Sequence, residues 1–275
     1  MIRIVGDSSL DLNEELLQGE VVPKVPFRID LDGVEWRDTP DVDLEKFRAA
    51  MGEARHFKTA CGSPQEFYEA FEKEGDVFAI TITSKLSGSY NAAVLGKQLY
   101  EQAHPDKKIH IVDSLSASTG LALVYIKLKE LIDKRFSFEE IRDEAENFVA
   151  NMRTFFISQS LENLRKAGRL SNIKALMGRL LRVIPIMGAT DGVIEPFATA
   201  RGKQKAFMKL VDLIEEAAEN VTEKVLAISH ADNLEDALTL KEAIGKRINF
   251  KAIHIIPMGA LNTLYADNKG IIVSF

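Results

Sequence analysis

Residues 77–93, VFAITITSKLSGSYNAA, constrain the fold more than any other stretch of the chain. Val77 to Ile82 is a short, almost wholly apolar run of β-formers, the composition of a strand covered on both faces. Thr83 to Gly88 is a polar turn, and from Tyr90 the residues Ala92, Ala93, Leu95 and Gly96 suit a closely packed helix. A strand feeding a polar turn and then a helix is a unit of an α/β sheet, and the turn lies at the sheet edge where ligands collect. Ser84, Ser87 and Ser89 offer hydroxyls there, and Gly88 lets backbone approach a ligand. The unpaired N–H groups of the first helical turn favour an anion. The competing reading is that the serines only cap the helix.

The same grammar recurs along the first half. Ile2 to Val5 is a strand ending in Gly6-Asp7-Ser8-Ser9, and Lys108 to Val112 is a strand ending in Asp113-Ser114 ahead of a long helix, Ala117 to Asp133. Val21 to Lys24 and Phe27 to Leu31 read as extended, with Asp32-Gly33 a hairpin turn into Val34-Glu35-Trp36. Asp43 caps a helix over Leu44 to Ala54, and Ser137 with Glu140 caps another over Phe138 to Asn151. Lys58 to Pro64 reads as a loop before a helix whose capping box is Ser63 and Glu66, so Ser63 is structural while Thr59 has no such duty. Residues 1–152 therefore predict an α/β domain with a largely parallel sheet flanked by helices.

After Asn151 the pattern changes. Strands are expected at Thr154 to Ile157, Val183 to Met187, Val193 to Phe197, Val225 to Ser229, Ile248 to Ile256 and Ile271 to Ser274. Helices are expected at Leu161 to Lys166, Ile173 to Arg182, Arg201 to Glu219, Leu234 to Lys246 and a short patch at Leu261 to Ala266. Residues 153–275 thus predict a second α/β domain, with a mixed sheet.

Bulk properties exclude several function classes. With 46% hydrophobic and 28% charged residues the chain is globular, and a net charge of -6 without a basic cluster argues against nucleic acid. No apolar run approaches the roughly 18 residues of a membrane span, and MIRIVGDSS lacks a signal peptide's apolar core. The single cysteine, Cys61, rules out an intrachain disulfide and fits the cytoplasm. Five scattered histidines show no metal-ligand spacing. There is no P-loop or Gly-x-Gly-x-x-Gly turn for a nucleotide, and Ser87 sits in Lys-Leu-Ser-Gly-Ser rather than a hydrolase elbow. A serine hydrolase survives as an alternative only if a distant histidine folds close.

Seven short motifs, in order, resemble the DegV family of bacterial fatty-acid-binding proteins. They are Asp7-Ser8-Ser9, Lys58-Thr59 before Ser63-Pro64, Leu86-Ser87-Gly88-Ser89-Tyr90, Asp113-Ser114, Ala167-Gly168-Arg169-Leu170-Ser171, Ile184-Pro185-Ile186, and Arg201-Gly202 after Ala198. The resemblance covers the chain to about residue 205. It implies two α/β domains and a buried long-chain fatty acid, with the carboxylate held by Thr59, Ser87 and Gly88. It places Cys61, Ser114, Arg169 and Arg201 at the cavity or at a docking surface, against the plainer reading of the arginines as surface charges. It implies no cofactor and no catalysis by the chain itself, which would present its acyl carboxylate to a separate fatty-acid kinase. A lipid sensor or storage protein without phosphotransfer is the alternative. Apolar material for a tunnel is available in Ala175, Leu176, Met177, Leu180, Leu181, Ile184 and Met187, which would equally make ordinary core.

The chain departs from the family pattern in three places. Ala60-Cys61-Gly62 stands where Ser-Gln-Pro is usual, and Ala167-Gly168 where two glycines are usual. The expected C-terminal histidine is absent: alignment on Gly259 puts Tyr265 in its place, and alignment on Gly270 puts Thr263 there. His254 lies inside a strand pattern and is no substitute.

Overall fold

A computed structural model describes residues 1–170 and 183–275. The helix expected at Ile173 to Arg182 lies outside the described residues, as do Ser171 and the tunnel candidates Ala175, Leu176, Met177, Leu180 and Leu181.

Strands β1 (Ile2–Asp7), β2 (Lys24–Val25), β6 (Asp76–Thr81) and β7 (Ile109–Asp113) form one sheet in the order β2-β1-β6-β7, parallel throughout. Alternate residues of the central strands face opposite sides, so both faces must be covered. Phe78 and Ile80 pack with helices α5 (Thr119–Asp133) and α6 (Phe138–Asn151). Val77 and Ala79 pack with α3 (Pro64–Phe71) and α4 (Ser89–Ala103) on the other side. The α3–α4 approach is close enough that a Cβ on Gly96 would stand 2.6 Å from the Pro64 carbonyl oxygen. Both expected capping boxes are present, at Ser63/Glu66 and Ser137/Glu140.

The second sheet is mixed, in the order β10-β9-β8-β13-β11-β12. It comprises β8 (Thr154–Ile157), β9 (Ile184–Thr190), β10 (Val193–Ala200), β11 (Val225–His230), β12 (Ala252–Pro257) and β13 (Ile271–Ser274). Only β11 and β12 run parallel. One face packs on the helices Lys203–Ala217 and Leu234–Gly245. The other face, carrying Phe156, Met187 and Ile272, turns toward the first half of the chain. Asp191 (φ 48°) and Gly192 (φ 78°) close the β9–β10 hairpin with both residues in the left-handed region, the geometry that favours Asp-Gly in a two-residue turn. This tip reaches the polar turn after β6. A Cβ on Gly192 would collide with Thr83 Oγ1 at 2.2 Å, and the Thr83 hydroxyl donates to the Gly192 carbonyl at 3.4 Å.

A third, antiparallel sheet corrects the reading of Lys58 to Pro64 as a loop. Phe57–Ala60 is a strand, β5, paired with β3 (Arg28–Leu31), which also pairs with β4 (Val34–Arg37). Four residues carry too little alternation to announce a strand, and the ladder from β3, with Ile29 opposite Thr59, supplies the stabilisation. The strand at Ile248 to Ile256 is shorter than expected, beginning at Ala252, because Ile248 and Phe250 bury in the adjoining core instead. The short helix Ala260–Ala266 crosses back over this third sheet, packing Ala260, Leu261 and Leu264 beside Phe27, Ile29 and Phe47. No helix among the described residues is long and apolar enough to cross a membrane.

Candidate ligand-binding cavity

A cavity of about 300 Å³ lies where these three sheets meet. That is the lower end of the roughly 300–1,000 Å³ typical of small-molecule sites. Its walls are largely apolar: Phe27, Ile82 and Leu86 come from the first half, Phe156, Ile194 and Ile272 from the second. Thr59, Cys61, Ser87, Gly88, Tyr265 and Arg169 also line it.

The polar end is assembled from distant segments. Thr59 on β5 and Tyr265 on the helix Ala260–Ala266 share a 2.7 Å hydrogen bond between their hydroxyls. Two hydroxyls bonded to each other use one proton, leaving one O–H for a ligand. Ser87 Oγ accepts from Ser89 N–H at 3.2 Å, and its hydroxyl, within hydrogen-bond reach of the Cys61 thiol, can turn its proton to a ligand. No serine makes an ordinary N-cap for α4: the cap is Gly88 without a side-chain bond, and the Ser89 hydroxyl donates to Asp7 at 2.6 Å. The Gly88 N–H has no partner among the described residues. Cys61 stands beside these groups, a Cβ on Gly88 falling 3.7 Å from its sulfur, and burial pushes its thiol above the ordinary value. Three neutral donors and a helix N-terminus thus face one end of an apolar space, a constellation suited to a carboxylate with a long apolar tail.

Behind these donors lies a buried acidic frame. Asp7 accepts from Ser9 N–H at 3.0 Å, from Ile82 N–H at 2.9 Å and from Ser89. Asp11 accepts from Gly259 N–H and the Asn262 amide, both at 2.8 Å, and from Ser118 at 2.5 Å. Asp38 accepts from Ala260 N–H at 2.8 Å. Burial pushes the Asp7 and Asp11 carboxyls up to about 6 against these bonds, and raises Asp38 as well. Burial also lowers the Lys24 ammonium, while Asp11, Asp38 and Asp7 hold it up. Asp7 therefore fixes the start of α4, and Asp11 with Asp38 fixes the start of the helix that carries Tyr265.

The remaining sequence candidates are placed as follows. Arg169 is exposed at the cavity, its Nε donating to the Leu86 carbonyl at 3.0 Å. Ser114 is buried but off the wall, shaping its own turn by accepting from Ser116 N–H at 3.2 Å and donating to the Ser116 carbonyl at 3.1 Å. Arg201 borders a separate shallow groove with Gln204 and Met208. Of the two histidine-replacement options, Tyr265 faces the cavity and Thr263, buried, does not line it. The sequence reading missed Thr83, Ser116 and Thr154, whose hydroxyls also line the wall, and Asn262, whose amide is engaged by Ser9 and Asp11. Hydroxyls at strand ends were the available signal for Thr83. No group of metal-ligating side chains occurs among the described residues.

The chain matches, over residues 1–274, the family model described as "Uncharacterised protein, DegV family". A DegV domain-containing protein of Streptococcus pneumoniae is 32% identical over 277 residues, covering 99% of this chain and 98% of the relative. Among solved structures, a DegV family protein from Ruminococcus gnavus refined with vaccenic acid superposes with a TM-score of 0.96 at 32% identity, over 100% of this chain and 99% of the other. The Streptococcus pneumoniae Fatty Acid Kinase (Fak) B3 protein loaded with linoleic acid superposes at 0.91 with 29% identity, over 100% and 99%.

Proposed function

The chain belongs to the DegV family, and we propose from that membership that it binds a long-chain fatty acid in the cavity and presents the acyl carboxylate to a separate fatty-acid kinase. The observation that carries this reading is the cluster of neutral donors, Ser87, Gly88 and the Thr59–Tyr265 pair, at one end of an apolar cavity. In this reading Thr59, Ser87 and Gly88 hold the carboxylate, and Arg169 stands at the mouth. Residues 1–152 form the domain carrying the head-group turns, and residues 153–275 form the domain supplying the acyl wall. In this reading the chain acts in the cytoplasm as a carrier and a separate kinase does the chemistry, with Ser87 bonded among the described residues to Ser89, Thr83 and the Cys61 thiol.

The energetics are adequate without a salt bridge. Burying a C16 chain at about 0.8 kcal/mol per methylene gives on the order of 12 kcal/mol, and association costs roughly 4–15 kcal/mol. Hydrogen bonds to a charged group contribute about 1.5–3 kcal/mol each, so the head-group donors decide whether binding is tight. The test is to denature the purified protein, extract with organic solvent and identify the extract by mass spectrometry. A stoichiometric long-chain fatty acid is expected. An extract without one, together with no uptake of added palmitate or oleate, would sink the carrier reading.

A further inference from the structure

The acyl wall of the cavity is not uniformly apolar. Ser116, in the turn between β7 and α5, and Thr154, on β8, both line it. They end a row of four buried hydroxyls. Ser116 Oγ lies 2.7 Å from Thr154 Oγ1, Thr154 Oγ1 lies 2.9 Å from Ser274 Oγ on β13, and Ser274 Oγ lies 2.7 Å from Thr119 Oγ1 at the start of α5. Four hydroxyls joined by three bonds carry one proton more than the row consumes.

The position of that proton follows from what surrounds each end. An order ending at Thr119 or Ser274 strands it in the interior, where neither hydroxyl has a further acceptor among the described residues. The order that strands none runs from Thr119 through Ser274 and Thr154 to Ser116. The Ser116 proton then has only the Ala117 carbonyl, at 3.4 Å, the far limit of a hydrogen bond. The pose of Ser116 is built in: a Cβ on Gly120 would stand 2.1 Å from its Oγ, so the first turn of α5 carries a glycine, a poor helix former. Its place along the cavity is fixed too. Thr83 N–H donates to the Ser116 carbonyl at 2.9 Å, and Ser87 N–H donates to the Thr83 carbonyl at 3.3 Å. One turn of backbone thus separates Ser116 from the head-group serine, which sets its hydroxyl part-way along a chain whose carboxylate is held at Ser87.

We propose that the preferred ligand is an oxygenated fatty acid, a long-chain acid with a hydroxyl part-way along its tail that accepts from Ser116 and donates to the Ala117 carbonyl. The proposal rests on the carboxylate-binding reading above and narrows its substrate class. A plain methylene leaves the Ser116 O–H with its long contact alone, whereas a tail hydroxyl placed there recovers both the donor and the acceptor it lost on leaving water. A ketone would accept from Ser116 and give nothing back. A charged tail group is disfavoured, because Arg169, at the mouth, is the one charged residue among the described residues of the wall.

The experiment is calorimetric titration of the delipidated full chain with stearic acid and with hydroxystearic acids carrying the group at successive positions along the chain. One isomer should bind at least as tightly as stearate and about tenfold tighter than isomers substituted far from that position. Ser116→Ala should lower the affinity of that isomer relative to stearate about tenfold. Ser116→Cys, which keeps the shape of the side chain but donates weakly, should lower the same ratio. The ratio is read within one variant, so loss of folded protein cannot imitate the effect. Stearate binding with every hydroxy isomer weaker by a similar factor overturns this proposal and leaves the carrier reading standing. A preference for one position that survives in Ser116→Ala overturns it too. Failure of stearate and all the isomers to bind overturns both.

Discussion

At the scale of single residues, the head-group end is a balance of neutral donors against desolvation. A carboxylate moved there from water loses hydration, and each missing donor leaves that loss uncompensated. Thr59→Val and Ser87→Ala are each expected to raise the fatty-acid Kd by about tenfold or more, on the order of 1.5–3 kcal/mol per charged hydrogen bond. The double variant should be weaker than either; isothermal titration of delipidated protein with oleate checks this, and wild-type affinity in the double variant would place the head group elsewhere. Tyr265 matters differently. Its phenol is hydrogen-bonded to Thr59, and a phenol can donate to a carboxylate but, unlike an imidazolium, is never a cation that offsets the charge of an incoming phosphoryl group. Acyl phosphorylation by a partner kinase should therefore be slow in the wild type, which would favour a storage or sensing role. Tyr265→His should speed it with little change in lipid Kd. Turnover in the wild type already equal to that of the histidine variant removes the argument.

At the scale of elements, the acidic frame ties ligand-facing segments to one another. The helix Ala260–Ala266 begins on Asp11 and Asp38, and α4 begins beside Asp7, with Lys24 the cation among them. Asp7 and Asp11 have folded-state values near 6 against 3.8 unfolded. Because those values are raised, the folded state holds more protons than the unfolded chain between about pH 4 and 6. The stability these two groups contribute is therefore present below about 4 and lost as pH rises through 6. His110 and His230, lowered by burial, tilt stability the opposite way just below their ordinary value of 6.5. The clean readout is thus a difference: the urea midpoint of Asp11→Asn should fall less than wild type's, or rise more, between pH 4.5 and pH 7. Identical pH profiles would show that Asp11 titrates normally. The same frame shows what sequence could reveal. Asp7-Ser8-Ser9 was legible as a polar turn at a strand end, whereas Asp11 and Asp38 sit in unremarkable local sequence. Their significance arises only because Gly259 and Ala260, more than two hundred residues away, bring backbone N–H groups to them.

At the scale of the whole molecule, the parallel sheet and most helices could be read from local patterns, because alternation, capping boxes and Asp-Gly turns act within a few residues. Thr59 could be picked out by the same means, since its local sequence gave it no capping duty, whereas Ser87 stood open between helix cap and ligand donor until the family resemblance chose between them. The small third sheet and the cavity could not, because both depend on pairings across the chain: Thr59 opposite Ile29, and Thr83 against the Gly192 hairpin tip. The Thr59–Tyr265 bond spans 206 residues, and that separation has a meaning in time. At roughly 5–20 residues per second of synthesis, on the order of 10–40 s pass on the ribosome between the appearance of the two hydroxyls. Throughout that interval Phe27, Ile82 and Leu86 have no second half to cover them, so a nascent chain carries an unfinished greasy wall beside a serine turn. Fatty acid captured in the final geometry is therefore captured after release of the tyrosine-bearing helix, and the hazard during those seconds is adhesion to other nascent chains.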